Sequence, residues 1–228
     1  MSSPIANKDR TGFQKSLVSL HQWLAHSNRI TKLAEAIGTS IGTLFPHDGK
    51  PVRALDVGCG DMTIAEAIAS QQPNIQWTCT DIHELPARLA DTEKWKKYRR
   101  FDGSTLPFPD SAFDAILFSD VLHHCLAEAP ALLREAARTG RYVIVKDHFE
   151  HSLISRSLLR LLDFVGNYGY GVNVPDRYFN PLTFAATASQ SGLRIVSINN
   201  NVSIYPVWLS PILPPSLQFI AVLEKFPE

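Results

Sequence analysis

The segment Asp56-Val57-Gly58-Cys59-Gly60 constrains this chain more than any other. It follows an apolar run, Val52 to Leu55, and precedes a helical pattern, Ile64-Ala65-Glu66-Ala67-Ile68. A glycine turn between a strand and a helix brings backbone N–H groups close to a ligand, because glycine has no Cβ to obstruct. Alone, a short G-x-G is weak. Here acidic residues follow at the spacing of successive strand–helix units. Gln76-Trp77-Thr78-Cys79-Thr80 reads as a second strand and ends at Asp81, 21 residues beyond Gly60. A carboxylate about 20 residues past such a turn is placed to accept hydrogen bonds from ribose hydroxyls.

The rest of the chain keeps the alternation. Strands are expected at about 52–57, 75–80, 97–101, 115–119 and 141–146, and helices at about 63–71, 84–92, 123–137 and 181–191. Gly192 ends the last helix, and residues 194–205 and 218–224 read as two closing strands with prolines between them. Two helical patterns come first: 12–26, with Phe13, Leu17, Leu20 and Leu24, and 28–45, capped by Ser27 or Asn28. Pro46 to Pro51 is the linker into the fold.

Four blocks carry a resemblance: LDVGCGDM (55–62), Asp81, FDGSTLPFPDSAFDAILFSDVLHHC (101–125) and RYVIVKDH (141–148). With them the chain resembles the Rossmann-like (class I) S-adenosylmethionine-dependent methyltransferases, in particular the type 11 small-molecule group, over roughly residues 50 to 225. The resemblance implies an α/β fold: a seven-stranded, mostly parallel sheet with an antiparallel last strand and helices on both faces. It implies one cofactor-binding domain, divided into a helical cap (1–50), a core (51–150), a lid insertion (151–180) and a C-terminal helix with a strand hairpin (181–228). It implies S-adenosyl-L-methionine as cofactor. The methionine part would lie against Asp56, Gly58, Cys59, Gly60 and Asp61. The ribose would lie against Asp81 and Ile82, the adenine against Asp102 and Gly103, and Ser119 with His124 would complete the site. The family usually has a third glycine where this chain has Met62, so a close backbone approach is expected to be lost there. A dehydrogenase fingerprint would need its third glycine at Thr63 and leaves the LPFPDSAFD block unexplained. A nucleotide triphosphatase needs Gly-Lys-Ser/Thr, which the turn lacks.

Composition narrows the partners. With 22 basic and 22 acidic residues the net charge is zero, which gives no electrostatic case for nucleic acid. The densest basic run, KWKKYRR (94–100), reads as a solvated helix end. Cys59, Cys79 and Cys125 are odd in number and widely spaced, the pattern of free thiols in a reducing compartment. MSSPIANKDR has no apolar signal region, and no run is long enough to span a membrane. The expectation is a cytoplasmic monomer or homodimer acting on a small molecule, with no nucleic-acid or membrane partner.

Methyl transfer from a sulfonium is an in-line displacement that needs alignment and exclusion of water, and a base only if the nucleophile keeps its proton. His123 and His124 follow the fourth strand, at the edge where ligands bind, and either suits a base. Core or cap histidines are the structural alternative. Asp147 and His148, after the fifth strand, are the runner-up base. No recognised ligand spacing points to a metal. Ile154, Leu158, Leu161, Leu162 and Val165 form a helical apolar stripe, with Arg156, Arg160 and Asp163 facing away. The segment 166–178 then holds Tyr168, Tyr170 and Tyr178 with three glycines within 13 residues. It reads as a mobile aromatic loop whose rings face the sulfonium or stack on an aromatic acceptor. A surface cover is the plainer alternative. The leading reading is methylation of a small metabolite, in secondary metabolism. A second keeps the cofactor and cyclises its aminobutyrate arm to azetidine-2-carboxylate, releasing methylthioadenosine. A third is cofactor binding without turnover.

Overall fold

The computed structural model describes residues 28–45, 49–84, 92–166 and 174–227. Seven strands form one sheet in the order β3-β2-β1-β4-β5-β7-β6. β1 (Val52–Val57), β2 (Ile75–Asp81), β3 (Tyr98–Arg100), β4 (Phe113–Ser119) and β5 (Gly140–His148) are parallel. β7 (Gln218–Lys225) runs antiparallel to β5 and to the edge strand β6 (Leu193–Asn199). The order reverses between β1 and β4. Such a switch point opens a crevice at the carboxyl ends of the strands.

Alternate side chains of the central strands feed two apolar cores, one on each face, as the two-residue repeat of a strand requires. Ala54, Ala115, Leu117 and Ile144 join the core beneath α1 (Asn28–Gly42) and α2 (Thr63–Gln71). Leu55, Ile116, Phe118 and Val145 join the other, beneath α3 (Ala129–Thr139) and α5 (Pro181–Gln190). α1 buries Leu33, Ala34, Ile37 and Ile41, a stripe at helical spacing. α5 is started by Asn180, whose side chain accepts the N–H groups of Leu182 and Thr183, with Pro181 in the first turn. It ends at Gly192, whose φ of 73° suits a residue without a Cβ.

Three expectations need correction. The helix expected over 123–137 is a 3₁₀ turn, Leu122–Cys125, followed by α3. Pro130 has no N–H to give to the preceding turn, so a continuous helix cannot run through it. The strand expected over 194–205 stops at Asn199, whose Oδ1 takes the N–H of Asn201 at 3.0 Å and turns the chain. Val202 and Ile204 then pack as core residues on the α1 side. α4 (Leu153–Gly166) does not carry a wholly buried apolar stripe: Ile154 and Leu161 are exposed, and Leu159 is the buried residue. The helical patterns expected at 12–26 and across 85–91 lie outside the described residues. Among those described, no helix is long and apolar enough to cross a membrane. All three cysteines are free thiols.

Candidate active site

β1 delivers its glycine turn against the end of β2. The N–H groups of Gly58 and Cys59 both donate to the Thr80 carbonyl, at 2.8 and 3.1 Å, and the Gly60 N–H donates to Asp81 Oδ2 at 2.8 Å. Gly58 has φ +74°, and a Cβ there would meet Val121 Cγ2 at 2.6 Å. Glycine is therefore required twice over, by backbone angle and by the approach of the segment that follows β4. A Cβ on Gly60 would meet nothing within 4 Å, so the space beside it admits a ligand. Asp61 Oδ1 takes the Thr63 N–H at 3.1 Å and fixes the start of α2.

Met62 alters one expectation. Its φ of 63° and ψ of 15° are the left-handed values a glycine favours, so the turn is retained without the glycine. A non-glycine residue in that region costs about 1–2 kcal/mol. Its side chain, 1% exposed, is buried in the core beneath α1 and α2, which offsets that cost.

The next acidic positions line the same edge. Asp56 is buried, and desolvation, then the Asp81 charge, pushes its carboxyl up to about 7. Asp81 Oδ1 also accepts the His83 N–H at 3.3 Å. Ile82 is half exposed, and its Cγ2 lies 3.3 Å from where a Gly103 Cβ would stand, so the residues after β2 and β3 adjoin. Asp102 Oδ1 collects the N–H of Thr105, and the N–H and hydroxyl of Ser104, at 2.7, 2.8 and 2.9 Å. These bonds hold its carboxyl below the usual range. A glycine turn with open space beside Gly60 and acidic side chains at successive strand ends fits a nucleoside-bearing ligand.

Beside this cradle, past Val121, lies a buried charged cluster. His123 is 1% exposed, and its Nδ1 is 2.6 Å from Asp147 Oδ1, while its backbone N–H donates to Asp147 Oδ2 at 3.2 Å. His123 Nε2 has no aligned hydrogen-bond partner among the described residues, and Asp163 Oδ2 stands 3.3 Å away as an ion-pair contact. Burial opposes a charge on His123, but Asp147 and then Asp163 more than offset it and raise the imidazole to about 10. Burial opposes the Asp147 charge as well, and His123 and His148 hold that carboxyl well below the usual range. Lys146, wholly buried in β5, donates its ammonium to Asp120 Oδ1, while Arg29 from α1 comes within 3.5 Å of Asp120 Oδ2. Burial favours the neutral form of His148, which sits 3.3 Å from Asp120 Oδ1 through its Nδ1. Asp120 itself has φ +58°.

The expected catalytic residues divide accordingly. His123 and His124 lie ring against ring, with centroids 4.0 Å apart. His124 is half buried, and Ser119 is half buried at the end of β4, paired in register with Lys146. Tyr178 is 3% exposed rather than on a free loop. Its N–H donates to Glu150 Oε2 at 3.1 Å, its hydroxyl donates to Asp163 Oδ2 at 2.5 Å, and Phe179 bridges to Phe149. Tyr168 and Tyr170 fall outside the described residues. Asp163 was expected to face away from the core with Arg156 and Arg160; instead it points to His123, because Tyr178 and His123 satisfy it there. Sequence reasoning missed Arg29, Asp120, Lys146 and Asp163. The available signal was Lys146-Asp147 at the end of the apolar run Val143-Ile144-Val145, since charges in a buried strand need partners.

Residues 55–141 match the family described as "Methyltransferase domain". Among curated proteins, the malonyl-[acyl-carrier protein] O-methyltransferase of Geobacter sulfurreducens is 25% identical over 138 residues, covering 56% of this chain and 49% of that protein. The chain thus spans about half the length of that curated relative. A SAM-dependent methyltransferase from Aquifex aeolicus shares the fold at a TM-score of 0.58 and 15% identity, over 92% of this chain and 98% of that one. Magnesium protoporphyrin IX methyltransferase from Synechocystis PCC 6803, solved with bound SAH, shares it at a TM-score of 0.58 and 14% identity, over 97% and 91% of the two chains.

Proposed function

We propose, on the premise that residues 55–141 form a class I S-adenosylmethionine-dependent methyltransferase domain, that the protein transfers a methyl group to a small-molecule metabolite. One observation carries the reading most directly. Asp81 closes β2 with its carboxylate on the Gly60 N–H, beside the adjoining Ile82 and Gly103. The cofactor is S-adenosyl-L-methionine, which when bound supplies an electrophilic methyl on a sulfonium. Gly58, Cys59, Gly60 and Asp61, with Asp56 beneath them, hold its amino-acid end. Asp81 and Ile82 hold the ribose, Asp102 and Gly103 the adenine, and Ser119 flanks the reacting centre. The chain acts as one binding unit, with α4 and residues 174–180 on the acceptor side. His123, His124 and Tyr178 stand at that side. Acceptors of secondary metabolism fit a buried, charge-balanced wall better than a polyanion does.

Calorimetry with S-adenosylmethionine and S-adenosylhomocysteine tests the cofactor, and methyl-labelled cofactor incubated with host metabolite extract tests the transfer. Saturable binding and a labelled small molecule with S-adenosylhomocysteine as co-product are expected. Methylthioadenosine as the co-product would move the reading to displacement at another sulfonium carbon. No binding of either compound by folded protein would end it.

A further inference from the structure

We propose that Asp163, carried into the site by α4, is a positioning residue that acts with Asp147 to keep both ring nitrogens of His123 protonated, which leaves His124 as the ring that takes a proton from a hydroxyl acceptor. The inference rests on the methyltransferase reading for the acceptor, but not for the state of His123.

The geometry is that of a ring held between two carboxylates. Asp147 Oδ1 is 2.6 Å from Nδ1 as a hydrogen bond, and Asp163 Oδ2 is 3.3 Å from Nε2 as an ion-pair contact without hydrogen-bond alignment. A neutral imidazole has one N–H and can donate to one carboxylate only; a doubly protonated ring matches both. The remaining neighbours agree. Tyr178, from the segment after α4, donates its hydroxyl to Asp163 Oδ2, so that oxygen already accepts a bond and is kept as a carboxylate. Its ring lies 5.4 Å from the His123 ring, centroid to centroid, where an aromatic face favours a cation. His148, 5.2 Å away, is kept neutral by burial and adds no opposing charge.

Charge balance points the same way. The carboxylates of the cluster are Asp147, wholly buried, and the partly buried Asp163 and Asp120; Arg29 and Lys146 both contact Asp120, although burial disfavours the charge on Lys146. A positive charge on His123 faces both Asp147 and Asp163, which neither Arg29 nor Lys146 contacts as an ion pair. Without it a carboxylate would stand uncompensated in the core, which is strongly unfavourable.

A ring held in that state already carries its proton and cannot serve as a base. His124 can. Its ring centroid lies 4.0 Å from that of His123, and its backbone N–H donates to the carbonyl of Val121, the residue that abuts Gly58 of the glycine turn. In the transfer the acceptor oxygen–carbon bond forms as the carbon–sulfur bond breaks. The hydroxyl proton passes to a nitrogen of His124, which gains the positive charge the sulfonium loses. Two adjacent imidazolium rings repel, so a charged His123 favours a His124 that is unprotonated before the reaction.

Nitrogen-resolved NMR of the histidine rings in the full chain, followed against pH, tests this without an acceptor. In wild type His123 should show two ring N–H groups through neutral pH and beyond pH 8. Asp163→Asn should bring its loss of a proton down by about one pH unit or more. The midpoint of His124 should then rise, because its neighbour loses charge earlier. Tyr178→Phe, a milder change, should move both in the same directions by less. A wild-type His123 that titrates near the ordinary value of about 6.5 overturns the proposal even if every variant fails to fold. So does an Asp163→Asn protein that folds and leaves both titrations unchanged. Calorimetry with S-adenosylmethionine on the same samples separates the two readings. Wild type that fails to bind it counts against methyl transfer and the role of His124, while the state of His123 stands or falls on the titration alone.

Discussion

At the scale of single residues, the cradle depends on carboxylates and on glycines with defined geometric duties. Asp81 fixes the turn through Gly60; on the proposed reading, in which it holds the ribose, Asp81→Ala should weaken S-adenosylmethionine binding by about 10-fold to 100-fold through lost charge-assisted bonds. Calorimetry on a folded mutant reads it, and an unchanged affinity would remove Asp81 from the site. Gly58 makes a different prediction. Its φ of +74° and the 2.6 Å separation between a Cβ and Val121 mean that Gly58→Ala must move the segment after β4. A stability loss of about 1–3 kcal/mol in denaturant titration is expected, together with weaker cofactor binding. Met62 shows the complementary case: the backbone keeps a glycine-like angle because a buried side chain holds it there.

At the scale of elements, the junction from α3 to β5 is as tight as the cofactor turn, yet has no part in binding. A Cβ on Gly140 would stand 2.4 Å from Ile116 Cγ1, in the neighbouring strand β4. Gly140→Ala should therefore cost about 1–3 kcal/mol of stability by overpacking while leaving cofactor affinity in the folded protein unchanged, as paired denaturation and calorimetry would show. The same scale explains what was legible in the sequence. The β1 turn, the end of β2 and the alternation of strands and helices were readable because each is a local pattern. The break at Pro130 was readable in principle, since a proline in a helical stretch removes a specific donor. The inward turn of Asp163 was not. On α4 it lies at helical spacing from the charged Arg156 and Arg160, and only Tyr178 and His123, 15 and 40 positions away in the chain, make its inward turn favourable. Nor did periodicity show that Tyr178 is tied down through Glu150, since that bond spans 28 positions.

At the scale of the whole molecule, the buried cluster ties α1, β4, β5 and α4 together through Arg29, Asp120, Lys146, Asp147, His123 and Asp163, and so makes global stability depend on pH. The direction follows from the individual groups. His123 is raised to about 10 in the folded protein, so its contribution is fully present below its unfolded value of about 6.5 and is lost as pH rises towards 10. Asp147 and Asp120 are depressed, so theirs is present above about 3.9 and lost as pH falls below that value. His148 is depressed too, and a histidine kept neutral by burial costs stability as pH falls below about 6.5. Asp56 works against these on the acid side: raised to about 7, it favours the folded state at pH 4 and loses that advantage by pH 7. On the alkaline limb two groups of the cluster oppose each other: His123 loses its contribution, while Lys146, held below its usual range by burial, costs the folded state less as pH rises towards about 10.4. Between pH 6.5 and 10 the His123 contribution to the unfolding free energy should fall by about 2–4 kcal/mol, opposed by the relief of Lys146. His123→Gln should lower stability at pH 6.5, because Asp147 loses its charged partner, and should flatten the fall between 6.5 and 10. Denaturant titrations of both proteins at matched ionic strength across that range measure it. Parallel slopes would show that the proton on His123 does not hold the cluster together.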